Sequence, residues 1–257
     1  MTLLSDERKS NILLQIEENG KVKVRDLAID FNVSMETIRR DLDELEAEKR
    51  IRKVYGGALK PESSTSEEPP MFERKILRAK EKKRIGSKAA SLVNDGDVIF
   101  IDEGSTTLQM AAPLLEKTNV TIITNFFPLM KLMMEYEQKK LFVGELIFLG
   151  GRMNSTHSRS SGSYTEKMAK TFFVDKAFIS VDGVDPNIGL TSYQSEKCSL
   201  SQIFISHTRQ AYALVDHSKL GVKANFKMES MEAFSHVICD VEAPSSWKLT
   251  GTEWVQG

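Results

Sequence analysis

The chain has 257 residues, 35 Lys+Arg against 36 Asp+Glu and 40% hydrophobic residues, which is material for one large or two ordinary domains. With 28% of its residues charged and no apolar run of about 18 residues, a membrane-spanning helix is excluded. The net charge of −1, with twelve Lys+Arg against twelve Asp+Glu over residues 1–60, removes any chain-wide attraction to nucleic acid, so only the placement of cations can point to such a partner.

Residues 1–8 turn polar before an apolar signal core can form, which makes the cytoplasm the expected location. Ile12, Leu13 and Ile16 fall at helical spacing and predict a first amphipathic helix over residues 6–18, stopped by Asn19 and Gly20. Val24, Leu27, Ala28 and Phe31 predict a short second helix, followed by a tight turn, Asn32-Val33-Ser34, in which Ser34 is a natural N-cap. In the third helix Ile38, Leu42 and Leu45 share a buried face, leaving Met35, Thr37, Arg39 and Arg40 on the other side. Residues 49–57 alternate cationic and apolar residues and close on Gly56-Gly57, as the hairpin wing of a winged helix-turn-helix would. On that arrangement Ser34, Met35, Thr37, Arg39 and Arg40 enter a major groove, while Arg52, Lys53 and Tyr55 reach the backbone. The competing arrangement is a solvated helix face on which Arg39 and Arg40 pair with Asp43 and Glu44.

Residues 59–72 are rich in Ser, Pro and Glu and lack periodicity, so they are expected to link a domain over residues 1–58 to one over residues 73–257. Beyond the linker a charged helix to about Val93 is followed by apolar strands at residues 98–102, 120–124, 146–149, 177–181, 211–215 and 236–239. Helical patterns between several of them predict an α/β fold with a largely parallel sheet. After the first of these strands, Glu103-Gly104-Ser105-Thr106-Thr107 leads into a predicted helix with Leu108, Ala111, Ala112, Leu114 and Leu115. A strand, a hydroxyl-rich turn and a helix in that order form an anion cradle, although the same residues also fit a plain helix N-cap. Asn125 ends another strand, and Lys219 follows a third, where ligands of open α/β sheets collect. Residues 157–162 are polar and are expected to be a loop, either mobile over this pocket or disordered, and the cluster Met130, Met133 and Met134 is expected in the core. The four histidines show no metal-ligating spacing, and Cys198 and Cys239 are expected as reduced core thiols, so no metal and no cofactor is assigned.

The N-terminal residues resemble the DeoR-type family of bacterial transcriptional repressors. Its signature is met by Arg8, Ile12 and Ile16, then Ser34, Thr37, Ile38, Arg39, Arg40, Asp41 and Leu42, and its wing by Arg52, Gly56, Gly57 and Ala58. Tyr55 stands where the family usually has His, and Lys49 where it usually has Gly. The resemblance continues through the second half, in Asp102, Gly104, Ser105, Thr106 and Thr107, in Thr124 and Asn125, in Leu149, Gly150 and Gly151, and in Asp175, Ala177, Phe178, Asp182 and Gly183. It ends with Asp216, His217, Ser218, Lys219 and Gly221. It implies a sensor domain similar to ribose-5-phosphate isomerase, with a phosphorylated sugar held by residues 104–107 and Lys219, and with Asp102, Asn125, Asp182 and Glu196 around it. In the family's Glu-Ala-x-x-Lys stretch, Glu196 is kept, but Lys197 stands for the Ala and Leu200 for the Lys, which implies an unusual effector.

The function expected is therefore a repressor of carbohydrate-metabolism genes, not an enzyme, with operator DNA and a phosphosugar as partners and a homodimer or homotetramer as its working form. The alternative is a sugar-phosphate isomerase or deaminase with a helical appendage, using Asp102, Glu103, Asp182 or Glu196 in acid–base steps.

Overall fold

In the computed structural model, which describes residues 5–48, 50–59, 71, 74, 77–247 and 249–257, the apolar spacings of the N-terminal segment become three helices and a small sheet. Helix α1 (Ser5–Asn19) leads through β1 (Lys21–Lys23) to α2 (Val24–Asp30) and α3 (Met35–Ala47). Strands β2 (Arg52–Val54) and β3 (Gly57–Leu59) form the wing, with β3 between β1 and β2 in an antiparallel sheet. Ile12, Ile16, Leu27, Ile38, Leu42 and Leu45 make one buried core, as their helical spacing requires. The two wing glycines have separate reasons. Gly56 takes φ +78 in the turn, whereas a Cβ on Gly57 would lie 2.0 Å from the Val22 carbonyl oxygen. Arg8 and Asp41, both in the family signature, tie α1 to α3 by two buried contacts, Nε to Oδ2 at 2.5 Å and Nη2 to Oδ1 at 2.9 Å.

The chain divides into two compact units, Met1–Ser66 and Glu67–Gly257. Of the linker expected over residues 59–72, only Leu59 and Met71 are among the described residues, and Lys49 lies outside them.

In the second unit, α4 (Ala79–Ser91) precedes β4 (Val98–Ile101), β5 (Thr118–Thr124), α5 (Phe127–Gln138) and β6 (Val143–Phe148). A hairpin of β7 (Arg152–Asn154) and β8 (Arg159–Ser161) follows, then α6 (Ser163–Ala169), β9 (Val174–Ser180), β10 (Gly183–Asp185) and β11 (Gly189–Ser192). The last elements are α7 (Ser195–Ser206), β12 (Thr208–Val215), β13 (Phe226–Glu229), β14 (His236–Cys239) and β15 (Glu253–Gln256). Seven strands pair in parallel in the order β15-β14-β12-β9-β4-β5-β6, while β10, β11 and β13 make a small antiparallel sheet.

Alternation along β4 explains the layering. Ile99 and Ile101 join one core with Ile85, Ala89 and Met133, whereas Phe100 faces the other core and stacks on Phe204 of α7 at 3.7 Å. Cys198 and Cys239 are buried free thiols in or beside these layers, with pKa values pushed by burial up to about 11 and about 12. Among the described residues no helix is long and apolar enough to cross a membrane.

Three expectations need correction. The helix expected after Thr107 is two short 3-10 turns, Thr107–Met110 and Pro113–Glu116, because Pro113 has no N–H for a continuous helix and its ring excludes one. Half of the loop expected at residues 157–162 is strand β8, whose residues are all buried. Met130 and Met133 are in the core, but Met134 is 45% exposed, because it falls on the solvent side of α5.

Candidate functional site

On α3 the Ser34 side chain caps the helix, accepting from the Thr37 N–H at 3.0 Å, and its hydroxyl lies 2.9 Å from that of Thr37. Both side chains therefore set where the helix begins. Met35, Arg39 and Arg40 project from the exposed face. Arg39 pairs with Glu36 at 3.3 Å rather than with Asp43, while Asp43 meets the Lys53 ammonium and Glu44 meets Lys9 at 3.0 Å. The expected pairing of Arg39 and Arg40 with Asp43 and Glu44 is thus absent among the described residues, and Arg39 is instead partly neutralised by Glu36 on its own helix face. Lys53 is held against α3 by Asp43 and by its own N–H to Glu46 at 2.8 Å, whereas Arg52 is exposed and Tyr55 at the wing tip is fully so. Together these residues present two exposed arginines on α3 and a protruding wing.

In the second unit the chain runs from β4 outward to β5 and β6, then returns to the other side of β4 as β9. The carboxyl ends of β4 and β9 are therefore the switch point at which open α/β sheets hold ligands. Asp102 and the turn after it stand at the end of β4, and Asp182 just beyond β9. Asn125 directly follows β5, and Lys219 lies in the 3-10 turn after β12. The fold thus brings these sequence-assigned residues to the carboxyl ends of adjacent strands.

The turn after β4 is built from within. Asp102 accepts from the Ser180 N–H at 3.0 Å, Ser180 donates its hydroxyl to the Glu103 carbonyl at 2.6 Å, and Thr107 donates to the Asp102 and Gly104 carbonyls at 3.0 and 3.2 Å. Asp102 and Thr107 are consequently braces of the turn. The hydroxyls of Ser105 and Thr106, and their N–H groups, make no hydrogen bond to any described residue, and these are the groups left to receive an anion. A Cβ at Gly104 would lie 2.4 Å from the Ser180 hydroxyl, which explains the glycine.

Two carboxyls here are shifted in opposite directions. Burial pushes Asp102 up to about 7, against the pull of Lys197 and the bonds from Ser180. Asp182 is equally buried, yet Lys197 and Lys219 hold it below the usual carboxylate range, helped by the Ser192 hydroxyl at 2.6 Å. Lys197 sits between them, its ammonium 3.1 Å from the Ser180 hydroxyl and 3.9 Å from the Asp182 carboxylate. The family's lysine position, 200, holds a buried Leu, and Lys197 stands one turn earlier on the same helix face. That spacing was the available signal that Lys197 belongs to the site. Lys82 on α4 is buried as well and donates to the Arg74 carbonyl at 2.6 Å. Burial, together with Lys219, Arg74 and Arg78 and against Asp216, lowers its pKa to about 8.

Glu196 is engaged by Arg152, by the Ser161 hydroxyl at 2.9 Å and by Arg159 at 3.9 Å. Arg159 also makes a buried ion pair with Glu103. The β7–β8 hairpin is therefore fastened to the turn after β4 and to the start of α7. Sequence reasoning missed Arg159, whose only signal was one cation inside a run of buried serines.

Among solved structures, ribose 5-phosphate isomerase A from Methanocaldococcus jannaschii aligns at 25% identity over 54% of this chain and 53% of that one, with a TM-score of 0.39. The sequence model of the DeoR-like helix-turn-helix domain matches residues 8–64, and that of the DeoR C terminal sensor domain matches residues 77–241. The glycerol-3-phosphate regulon repressor of Escherichia coli (strain K12) is 30% identical over 240 residues, covering 93% of this chain and 92% of the relative. The lactose phosphotransferase system repressor of Staphylococcus epidermidis is 32% identical over 215 residues, 84% of each chain. With both domains matched in order and relatives aligned along most of its length, the chain belongs to the DeoR family of transcriptional repressors, a DNA-binding helix-turn-helix domain followed by a sensor domain.

Proposed function

We propose that the protein represses genes of carbohydrate metabolism, binding paired operator half-sites as a homodimer or homotetramer and leaving them when a phosphorylated sugar occupies the sensor domain. The observation that carries this is the turn after β4, where buried Ser105 and Thr106 offer N–H and hydroxyl donors with no acceptor among the described residues at a sheet switch point. Lys219 supplies the charge, Asp182 and Asn125 flank the sugar, and α3 with the wing supplies the groove contacts through Arg39, Arg40, Arg52 and Tyr55. The relatives' names, a glycerol-3-phosphate regulon repressor and a lactose phosphotransferase system repressor, support the same reading. The test is a thermal-shift screen of sugar phosphates against their unphosphorylated sugars, followed by operator release in a gel shift. A phosphate-dependent hit that releases DNA supports the proposal, and absence of any phosphate-dependent hit refutes it.

One observation favours the alternative of an isomerase or deaminase. Asp102 and Asp182 are two neighbouring buried carboxyls whose pKa values are pushed apart beside a lysine, which is a usable acid–base set. Turnover of ribose 5-phosphate by the purified protein would establish it, and binding without turnover would dismiss it for that substrate.

A further inference from the structure

The function proposed above makes no use of Arg159, although its side chain is 1% exposed and stands at the rim of the same switch point. A bridge between Phe126 and Arg159 sets β8 against the end of β5, so Arg159 and Asn125 are brought together by backbone pairing. The Ser160 N–H donates to the Asn125 carbonyl at 2.9 Å, and the Asn125 amide returns a bond to the Ser160 carbonyl at 3.0 Å. This fixes the Asn125 side chain with its amide donors toward Ser160. Its Oδ1 is buried and has no hydrogen-bond partner among the described residues.

The guanidinium is equally constrained. Its Nη1 pairs with Glu103, and its Nη2 lies 3.5 Å from the Gln194 side-chain oxygen and 3.9 Å from Glu196. Its Nε is buried with no hydrogen-bond partner among the described residues. A buried donor on β8 and a buried acceptor at the end of β5, each without a partner among the described residues, are costly in a finished core, and such groups commonly mark the place of a polar ligand.

Charge decides which ligand. An arginine standing by itself in a pocket selects an anion. Here Arg159 and Arg152 are matched by Glu103 and Glu196, two cations against two carboxylates, so a further anionic group gains little. A sugar hydroxyl both donates and accepts, and adjacent hydroxyls can satisfy an N–H and an amide oxygen together. We infer that Arg159 and Asn125 recognise the hydroxyl-bearing end of the effector, so that the ligand is a phosphorylated sugar or polyol with a single anionic group, its phosphate at Ser105 and Thr106. This inference rests on the phosphosugar function proposed above and names the chemical class it would take.

The test is isothermal titration calorimetry of the full chain with fructose 6-phosphate, glucitol 6-phosphate, 6-phosphogluconate, glycerol 3-phosphate and inorganic phosphate. Removing Arg159 alone would leave Glu103 buried without its cation, so the main variant is Glu103→Gln with Arg159→Gln, checked for an unchanged ligand-free melting transition. Arg159→Lys is the second variant, keeping the charge and losing the Nε–H. Both variants are expected to lose about tenfold or more in affinity for the neutral-headed hexose phosphate that binds the wild type, and less than about twofold for inorganic phosphate. Parallel loss for both ligands, or loss for neither, would overturn the inference and leave Arg159 a strut between β8 and Glu103. Tighter wild-type binding of 6-phosphogluconate, with that preference lost in the variants, would overturn it in favour of an anion site. If the wild type binds none of the five compounds, the phosphosugar function falls and this inference falls with it. Wild-type binding that both variants keep removes the inference alone.

Discussion

Gly104 is defined by Ser180 rather than by its own backbone angles, since a Cβ there would press within 2.4 Å of the serine hydroxyl that holds the turn to β9. Gly104→Ala is expected to push the turn off β9, costing about 1–3 kcal/mol in urea denaturation and weakening effector binding. Asp102 gives a pH signature. Its carboxyl keeps a proton up to about 7 in the folded chain but has an ordinary value of 3.8. Between those values the folded state binds more protons, so this group's contribution is full below the lower value and is lost as pH rises through the higher one. Asp102→Asn has no such titration, and its stability relative to wild type is expected to rise from pH 4 to pH 7. Urea midpoints at the two pH values measure this, and a constant difference would contradict the buried, protonated carboxyl.

At the scale of elements, the Arg8–Asp41 pair makes the first and third helices one unit. Its side chains are 8% and 4% exposed. Arg8→Ala leaves Asp41 buried without its cation and is expected to cost about 3–5 kcal/mol, seen as early melting of the first unit by circular dichroism. Arg39→Ala on α3 is expected to weaken operator binding by about 1–3 kcal/mol without changing effector affinity, and equal affinity in a gel shift would remove α3 from the groove. The helices of this unit were legible because apolar residues at helical spacing and the Ser34 cap agree with one another. In the second unit, β4, β5, β9 and β12 were legible as apolar runs, although β5, β9 and β12 begin several residues earlier than their apolar cores suggest. The β7–β8 hairpin was not legible, because Arg159, Ser160 and Ser161 are buried by hydrogen bonds and an ion pair rather than by apolar contact. Strand β15 was missed for a related reason. Glu253-Trp254-Val255-Gln256 carries one short apolar pair, and it becomes a strand by pairing with β14. Of the candidate site, the loops at the strand ends could be read in advance, while Arg159 and Lys197 required knowledge of what lies across the pocket.

For the whole molecule, repression and release require the effector to bind unequally to the two functional states, with a coupling on the order of 1–3 kcal/mol. Lys219→Ala is expected to leave operator affinity intact and to abolish release by the effector, and unchanged release in a gel shift would take Lys219 out of the phosphate site. The two units also differ in how far along the chain their contacts reach. The first is closed by pairs such as Lys21 with Leu59 and Arg8 with Asp41, whereas β4 must wait for its neighbour β9, with Phe100 pairing beside Ala177. Local contacts form sooner than distant ones, and a growing chain folds from its N-terminus. On the ribosome, the half that grips DNA is therefore finished while the half that answers to metabolite is still an open sheet. A newly made chain learns to hold before it learns to let go.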